Sequence, residues 1–125
     1  MGAAASGTAA AQQIIPKVQN IPASYIRFTQ NNISPATRAG LFLDDLAQEI
    51  ENGFFRGYIR VVEYEGNLYS LDNRRLAAFK LLDIDVPVLI EDLSNPAIQA
   101  EFARKFSTIT DGLSILIRGT GMTVR

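Results

Sequence analysis

Glu65-Gly66-Asn67 stands between two short runs of alternating apolar residues, Tyr58 to Val62 and Leu68 to Leu71. A Gly-bearing pair between such runs is a strong local signal for an antiparallel hairpin. Gly66-Asn67 suits a two-residue turn with Gly at its first central position. That register sets Tyr64 opposite Tyr69 and Val62 opposite Leu71, giving one apolar face. The other face then brings Glu63 beside Ser70 and Val61 beside Asp72. The second arm runs straight into Asp72-Asn73-Arg74-Arg75, after which Leu76, Phe79 and Leu82 follow the spacing of one helix face. Val86-Pro87-Val88-Leu89-Ile90 reads as a further strand, with Pro87 suggesting an edge or a strand start. A hairpin followed by helix and strand cannot be built into a purely parallel sheet. The expected fold is therefore a small mixed α/β (α+β) domain, with helices packed on a mixed sheet.

The rest of the chain supplies the other layers. Tyr25-Ile26-Arg27-Phe28-Thr29 alternates as a strand. Ser34-Pro35 offers an N-cap and a first helical residue. Leu43, Leu46, Ala47 and Ile50 share a helix face, and Asn52-Gly53 stops that helix. Its other face carries Asp44, Asp45, Gln48, Glu49 and Glu51, the pattern of a solvated surface. Asn95 to Phe106 reads as a helix with Ile98, Phe102 and Phe106 on one side, and Arg104 and Lys105 near its C-terminus. Ser114 to Gly119 looks like a final strand.

Residues 1–20 read as a flexible lead or linker of small residues, and 21–125 as the folded domain. The opening looks like a segment joined to something larger. Met1-Gly2-Ala3-Ala4-Ala5-Ser6 matches the N-myristoylation pattern at Gly2, and an alanine-rich linker explains the same residues. No apolar run approaches the roughly 20 residues of a membrane-spanning helix.

Two arginines in the first turn of a helix are badly placed. The free N–H groups and the helix dipole already make that end positive. Each charge there costs a few tenths of a kcal/mol up to about 1 kcal/mol unless an anion offsets it. A phosphate, a carboxylate or a nucleic-acid backbone would do so, and a helix start is itself suited to anions. Arg74 and Arg75 are thus either the centre of a phosphate site or members of structural ion pairs with Asp72 and nearby acids. Bidentate guanidinium contacts suit phosphate oxygens. Arg118 is placed to complete an anion clamp. Thr29, Gln30 and Asn31 offer polar contacts from the end of the first strand, and turn formation explains them equally well. Lys80 either faces the same cleft or is solvated. Asp72 either caps the helix, as Asn73 also can, or acts as base or metal ligand.

Composition narrows the chemistry. The chain has no Cys and no His, which removes thiolate nucleophiles, imidazole bases and Cys/His zinc sites. What remains is Asp, Glu, Lys, Arg, Tyr, Ser and Thr, or a metal held by oxygen. The formal net charge of −1 argues against a protein that coats DNA in general. Any nucleic-acid contact must come from a local cluster.

The order hairpin, Asp72-Asn73-Arg74-Arg75, short helix, Val86-Pro87-Val88 resembles the ParB/sulfiredoxin-like superfamily. There a Gly-Glu-Arg-Arg motif opens the helix, and a Val-Pro-Val-type strand follows. Arg74 and Arg75 match the arginines of that motif, while Asp72 and Asn73 replace its Gly and Glu. Ile26-Arg27-Phe28-Thr29-Gln30 and the arginine block also look like ParB-like domains at the C-termini of bacterial polymorphic toxins. The resemblance covers roughly Ile21 to the end. It implies a ParB/sulfiredoxin-like fold and phosphate binding by Asn73, Arg74, Arg75, Arg118, Thr29 and Gln30. It also implies chemistry through Asp72, Arg74 and Arg75, with Mg²⁺ or a nucleotide as the cofactor. The chain lacks the Gly-Gly-Cys-His-Arg motif of sulfiredoxin, so that repair chemistry is excluded. Asn73 in place of the motif Glu counts against metal-assisted nucleotide hydrolysis.

Three functions follow as expectations. The first is a toxin-like effector domain acting on nucleic acid or nucleotide, as a nuclease, hydrolase or phosphotransferase. It would work in the cytoplasm after delivery from a secreted toxin, with a larger carrier chain and an immunity protein as partners. The second is a non-catalytic nucleotide-binding module. The third is a protein-interaction module that docks an acidic partner.

Overall fold

The computed structural model describes residues 17–36 and 42–125. Most of the expected lead, including Gly2 and its lipidation pattern, lies outside the described residues. Strands β1 (Val18–Pro22), β2 (Ile26–Phe28), β4 (Ile59–Tyr64), β5 (Asn67–Ser70) and β6 (Asp85–Glu91) form one sheet in the order β1-β6-β4-β5-β2. β3 (Asn32–Ile33), β7 (Ile115–Ile117) and β8 (Met122–Val124) form a second sheet in the order β3-β7-β8. Three helices accompany them among the described residues: α1 (Leu43–Glu51), α2 (Asn73–Leu82) and α3 (Pro96–Lys105). The domain is mixed α/β, as expected, and its larger sheet is mixed. β6 runs antiparallel to β1 and parallel to β4, β4 and β5 are antiparallel, and β5 is parallel to β2.

The helix periodicities hold. Leu43, Leu46, Ala47 and Ile50 are all buried, and Asn52 with Gly53 at φ +79° ends α1. Leu76 and Phe79 are buried in α2, but so are Ala77 and Ala78, because this helix packs on the sheet and on α1 together. The small alanines let both neighbours approach. On the opposite face of the sheet, Phe102 of α3 covers Val62, Tyr69 and Leu71. Phe102, Phe106, Tyr64 and Tyr69 meet there at ring separations of 5.1–6.2 Å. Asn95 caps α3 through its side-chain oxygen and Pro96 opens it.

Four local expectations are corrected. The hairpin turns at Glu65-Gly66, both at positive φ, so Tyr64 pairs with Asn67 and Val62 with Tyr69. The turn is of the kind needing two left-handed residues, with Gly second. The pairing thereby slips by two residues, which keeps the faces but changes the partners. Pro87 sits in β6, an interior strand rather than an edge. It is tolerated because pairing with β4 begins only at Val88, leaving Pro87 with β1 alone beside it. Ser34 does not cap α1. Its hydroxyl binds Ala36 within a turn, and the described helix starts at Leu43. Finally, Val18 to Asn20, assigned to the lead, are strand residues paired with β6.

Candidate functional site

The start of α2 is fixed by one clasp. The Asn73 side chain accepts from the Thr29 backbone N–H at 2.9 Å and donates to Thr29 Oγ1 at 2.8 Å and Gln30 Oε1 at 3.0 Å. Thr29 Oγ1 in turn donates to the Ser70 carbonyl at 2.7 Å. All three polar residues, Thr29, Ser70 and Asn73, are buried. Neither Asp72 nor Asn73 caps the helix with its side chain. Thr29 and Asn73 thus hold the end of β2 against the helix start, with both Asn73 amide hydrogens already engaged.

Asp72 is held from the neighbouring strand. Its Oδ2 accepts from the Arg60 backbone N–H at 2.9 Å and from Nε at 3.3 Å, while Oδ1 accepts from the Arg60 guanidinium at 2.9 Å. The same guanidinium donates twice to Glu101, at 2.8 and 2.9 Å. Lys105 Nζ donates to Glu101 at 2.7 Å and to the Leu71 carbonyl at 2.6 Å. Arg60 therefore stays protonated at any working pH, chiefly through Asp72 and then Glu101. Hydrogen bonds from Arg60 first, and from Lys105, depress the Glu101 carboxyl to about 2 against an opposing burial effect. Sequence reasoning missed this ionic cluster. Glu101 and Lys105 carry an i,i+4 signal, but Arg60 and Asp72 lie 12 residues apart and meet across the hairpin, at a spacing that no local pattern marks.

The arginine pair behaves differently. Arg74 turns toward the end of β3 and donates to the Ser34 carbonyl at 3.0 Å and the Ala36 carbonyl at 3.2 Å. Its Nε is buried and finds no acceptor among the described residues. Burial first, and then the charge of Arg118, push the Arg74 pKa below its ordinary value. Arg75 is exposed, with its guanidinium carbon 5.9 Å from the centre of the Phe55 ring. Neither Arg74, Arg75 nor Arg118 forms a salt bridge among the described residues. Residues 1–16 and 37–41 contain no Asp or Glu, so no carboxylate side chain lies outside that description.

These side chains border one open cleft of about 740 Å³. Gln30, Asp72, Asn73, Arg74, Arg75 and Arg118 line it, together with Arg56, Lys105, Glu49 and the aromatic pair Phe54-Phe55. Five cationic side chains thus face two acids; one of the acids is already bound to Arg60, and one of the cations, Lys105, to Glu101. The arrangement is short of negative charge at the place where the first backbone N–H groups of α2 lack helical acceptors. Thr29 stays behind the wall, and Lys80 points to a different pocket at the other end of the helix. Among the described residues no cluster of three or more Asp or Glu is placed to hold a metal ion, and no helix is long and apolar enough to cross a membrane.

No family model matches the chain, and no curated protein matches it. Among solved structures it is similar to the sulfiredoxin from Arabidopsis thaliana, at 22% identity with a TM-score of 0.44. That match covers 62% of this chain and 86% of the sulfiredoxin.

Proposed function

We propose that the cleft binds phosphate groups of a nucleotide or nucleic acid, and that the domain is a toxin-like effector acting on such a ligand. The observation that carries this reading is the pair Arg74 and Arg118, like charges that line one cleft without a carboxylate partner among the described residues. Holding two such cations together is unfavourable unless an anion joins them. A phosphate offers oxygens for both, plus acceptors for the free amides of the helix start. Gln30 supplies a neutral polar wall, while Thr29 and Asn73 position the helix start without touching ligand. Arg75, on the exposed rim, meets whatever extends beyond the first phosphate.

The second reading is a binding module without catalysis. Favouring it, Asp72, the acid best placed for chemistry, already accepts three hydrogen bonds from Arg60. Catalysis through Asp72 requires a ligand that loosens this contact, with Mg²⁺ brought in by the nucleotide. Calorimetry against ATP, CTP and GTP with Mg²⁺ tests the shared core of both readings. Binding that falls about tenfold or more in both Arg74→Ala and Arg118→Ala supports it. Equal affinity in the wild type and both variants overturns it. Turnover of nucleotide or nucleic acid, and slowed growth of bacteria expressing the wild type but not Arg74→Ala, separate the effector from the module.

A further inference from the structure

At the C-terminal end of α2 lies a separate pocket of about 490 Å³. The turn Ala23–Tyr25, β2, Asn67 and the Gly112-Leu113 segment enclose it. Arg27, Lys80 and Arg125 line it with one acidic side chain, Asp83, and none of the three cationic side chains forms a salt bridge among the described residues. Arg27 is anchored by a 3.0 Å hydrogen bond from Nη1 to the Asp111 carbonyl. The floor depends on Gly112 at φ +75°. A Cβ there would lie 2.6 Å from the Phe28 carbonyl oxygen and 2.7 Å from Arg27 Cβ.

Lys80 is the unusual member. A cation in the last turn of a helix is favoured by the dipole, which accounts for a basic residue at this position. It does not account for the burial, because a lysine stem is long enough to carry its ammonium to water. Lys80 instead lies half-buried with Nζ 5.4 Å from the centre of the Phe28 ring, and burial lowers its pKa from the ordinary value. The chain's other lysines contrast with it: Lys17 is exposed and Lys105 is paired with Glu101. A desolvated ammonium without a counter-ion is stabilised by any anion that enters beside it. The pocket mouth adds an apolar surface, since Tyr25 is 69% and Leu113 56% exposed. Asp83 on the same rim works against ligands carrying many negative charges.

We propose that this pocket is a second ligand site, taking a small molecule whose single carboxylate or phosphate head meets Lys80, Arg27 and Arg125 while its apolar body covers Tyr25 and Leu113. It is independent of the cleft, so either site can fail without the other. The test is a residue-resolved NMR titration of the full chain with benzoate, phenyl phosphate and inorganic phosphate. Saturable shifts at Lys80, Tyr25 and Gly112 with benzoate identify a carboxylate site, and with phenyl phosphate a phosphate site. Lys80→Met keeps the stem over Phe28 and weakens that response about tenfold. Lys80→Arg retains it, and unchanged thermal melting of Lys80→Met shows that the loss is local. Arg74→Ala leaves the response intact. The proposal is overturned by any of four results: no saturable shifts with either organic probe, equal binding by Lys80→Met, inorganic phosphate binding as tightly as phenyl phosphate, or loss of the response in Arg74→Ala.

Discussion

Two groups of cations meet around the start of α2, and their surroundings are opposite. Arg60 and Lys105 are enclosed by Asp72, Glu101 and the Leu71 carbonyl, each donor with a partner between 2.6 and 3.3 Å. Arg74 and Arg118 share a cleft with each other and with no carboxylate partner, and Arg74 keeps a buried Nε without an acceptor. A count of charges does not separate the groups. Pairing does. The first cluster holds the hairpin, α2 and α3 together, whereas the second is left without a carboxylate partner and is the one the proposed ligand would join.

This contrast breaks or sharpens under substitution. Asp72→Ala leaves the Arg60 N–H and guanidinium without their main acceptor, and is expected to cost about 3 kcal/mol in chemical denaturation. Lowering pH probes the same cluster through Glu101. Its folded-state pKa of about 2 lies below the ordinary 4.5, so its contribution is complete above about 4.5 and lost as pH falls toward 2. That loss is about 2 kcal/mol after allowance for partial exposure, and it disappears from the pH profile of Glu101→Gln. Arg74→Ala removes a desolvated, repelled charge along with two carbonyl contacts, so the denaturation midpoint should move by less than about 1 kcal/mol in either direction. If Arg74→Ala proves as damaging as Asp72→Ala, the distinction between frame and site collapses. The smallest effect belongs to the turn: Glu65→Asn puts a residue tolerant of positive φ at φ +50° and is expected to raise stability by about 0.5 kcal/mol.

The same hairpin shows what was legible in the sequence and what was not. Helices α1, α2 and α3 were readable because their apolar residues recur at helical spacing and their ends carry Asn, Gly or Pro signals. The mixed sheet followed from the hairpin itself. The error of one residue in the turn slid the pairing by two, which set Val61 opposite Asp72 and left the contact of Arg60 with Asp72 unseen. Asp72 consequently looked free, a candidate cap or base, when Arg60 holds it from across the ribbon. β3 and β8 were invisible because two or three residues carry no periodicity. Arg74, Arg75, Arg118, Gln30, Asp72 and Asn73 do gather at one cleft, while Thr29 supports it from within. The two arginines diverge, one toward Ser34 and one over Phe55, an orientation no linear pattern encodes. Lys80 was misplaced for a related reason: helical spacing gives an angle around the axis, but not which end of the helix a long side chain serves.

Arg118 reaches the cleft because it follows β7, and β7 is seated by parallel pairing of Ile117 with Ile33 far upstream. Joining strands so distant in the chain is an entropically expensive closure, expected near the end of folding rather than at its start. A chain with only the hairpin and α2 in place would own Arg74 but lack its counterpart. If the proposed ligand binds there, capture would come only once the C-terminal strands have docked, and it would stabilise the finished molecule over every incomplete one.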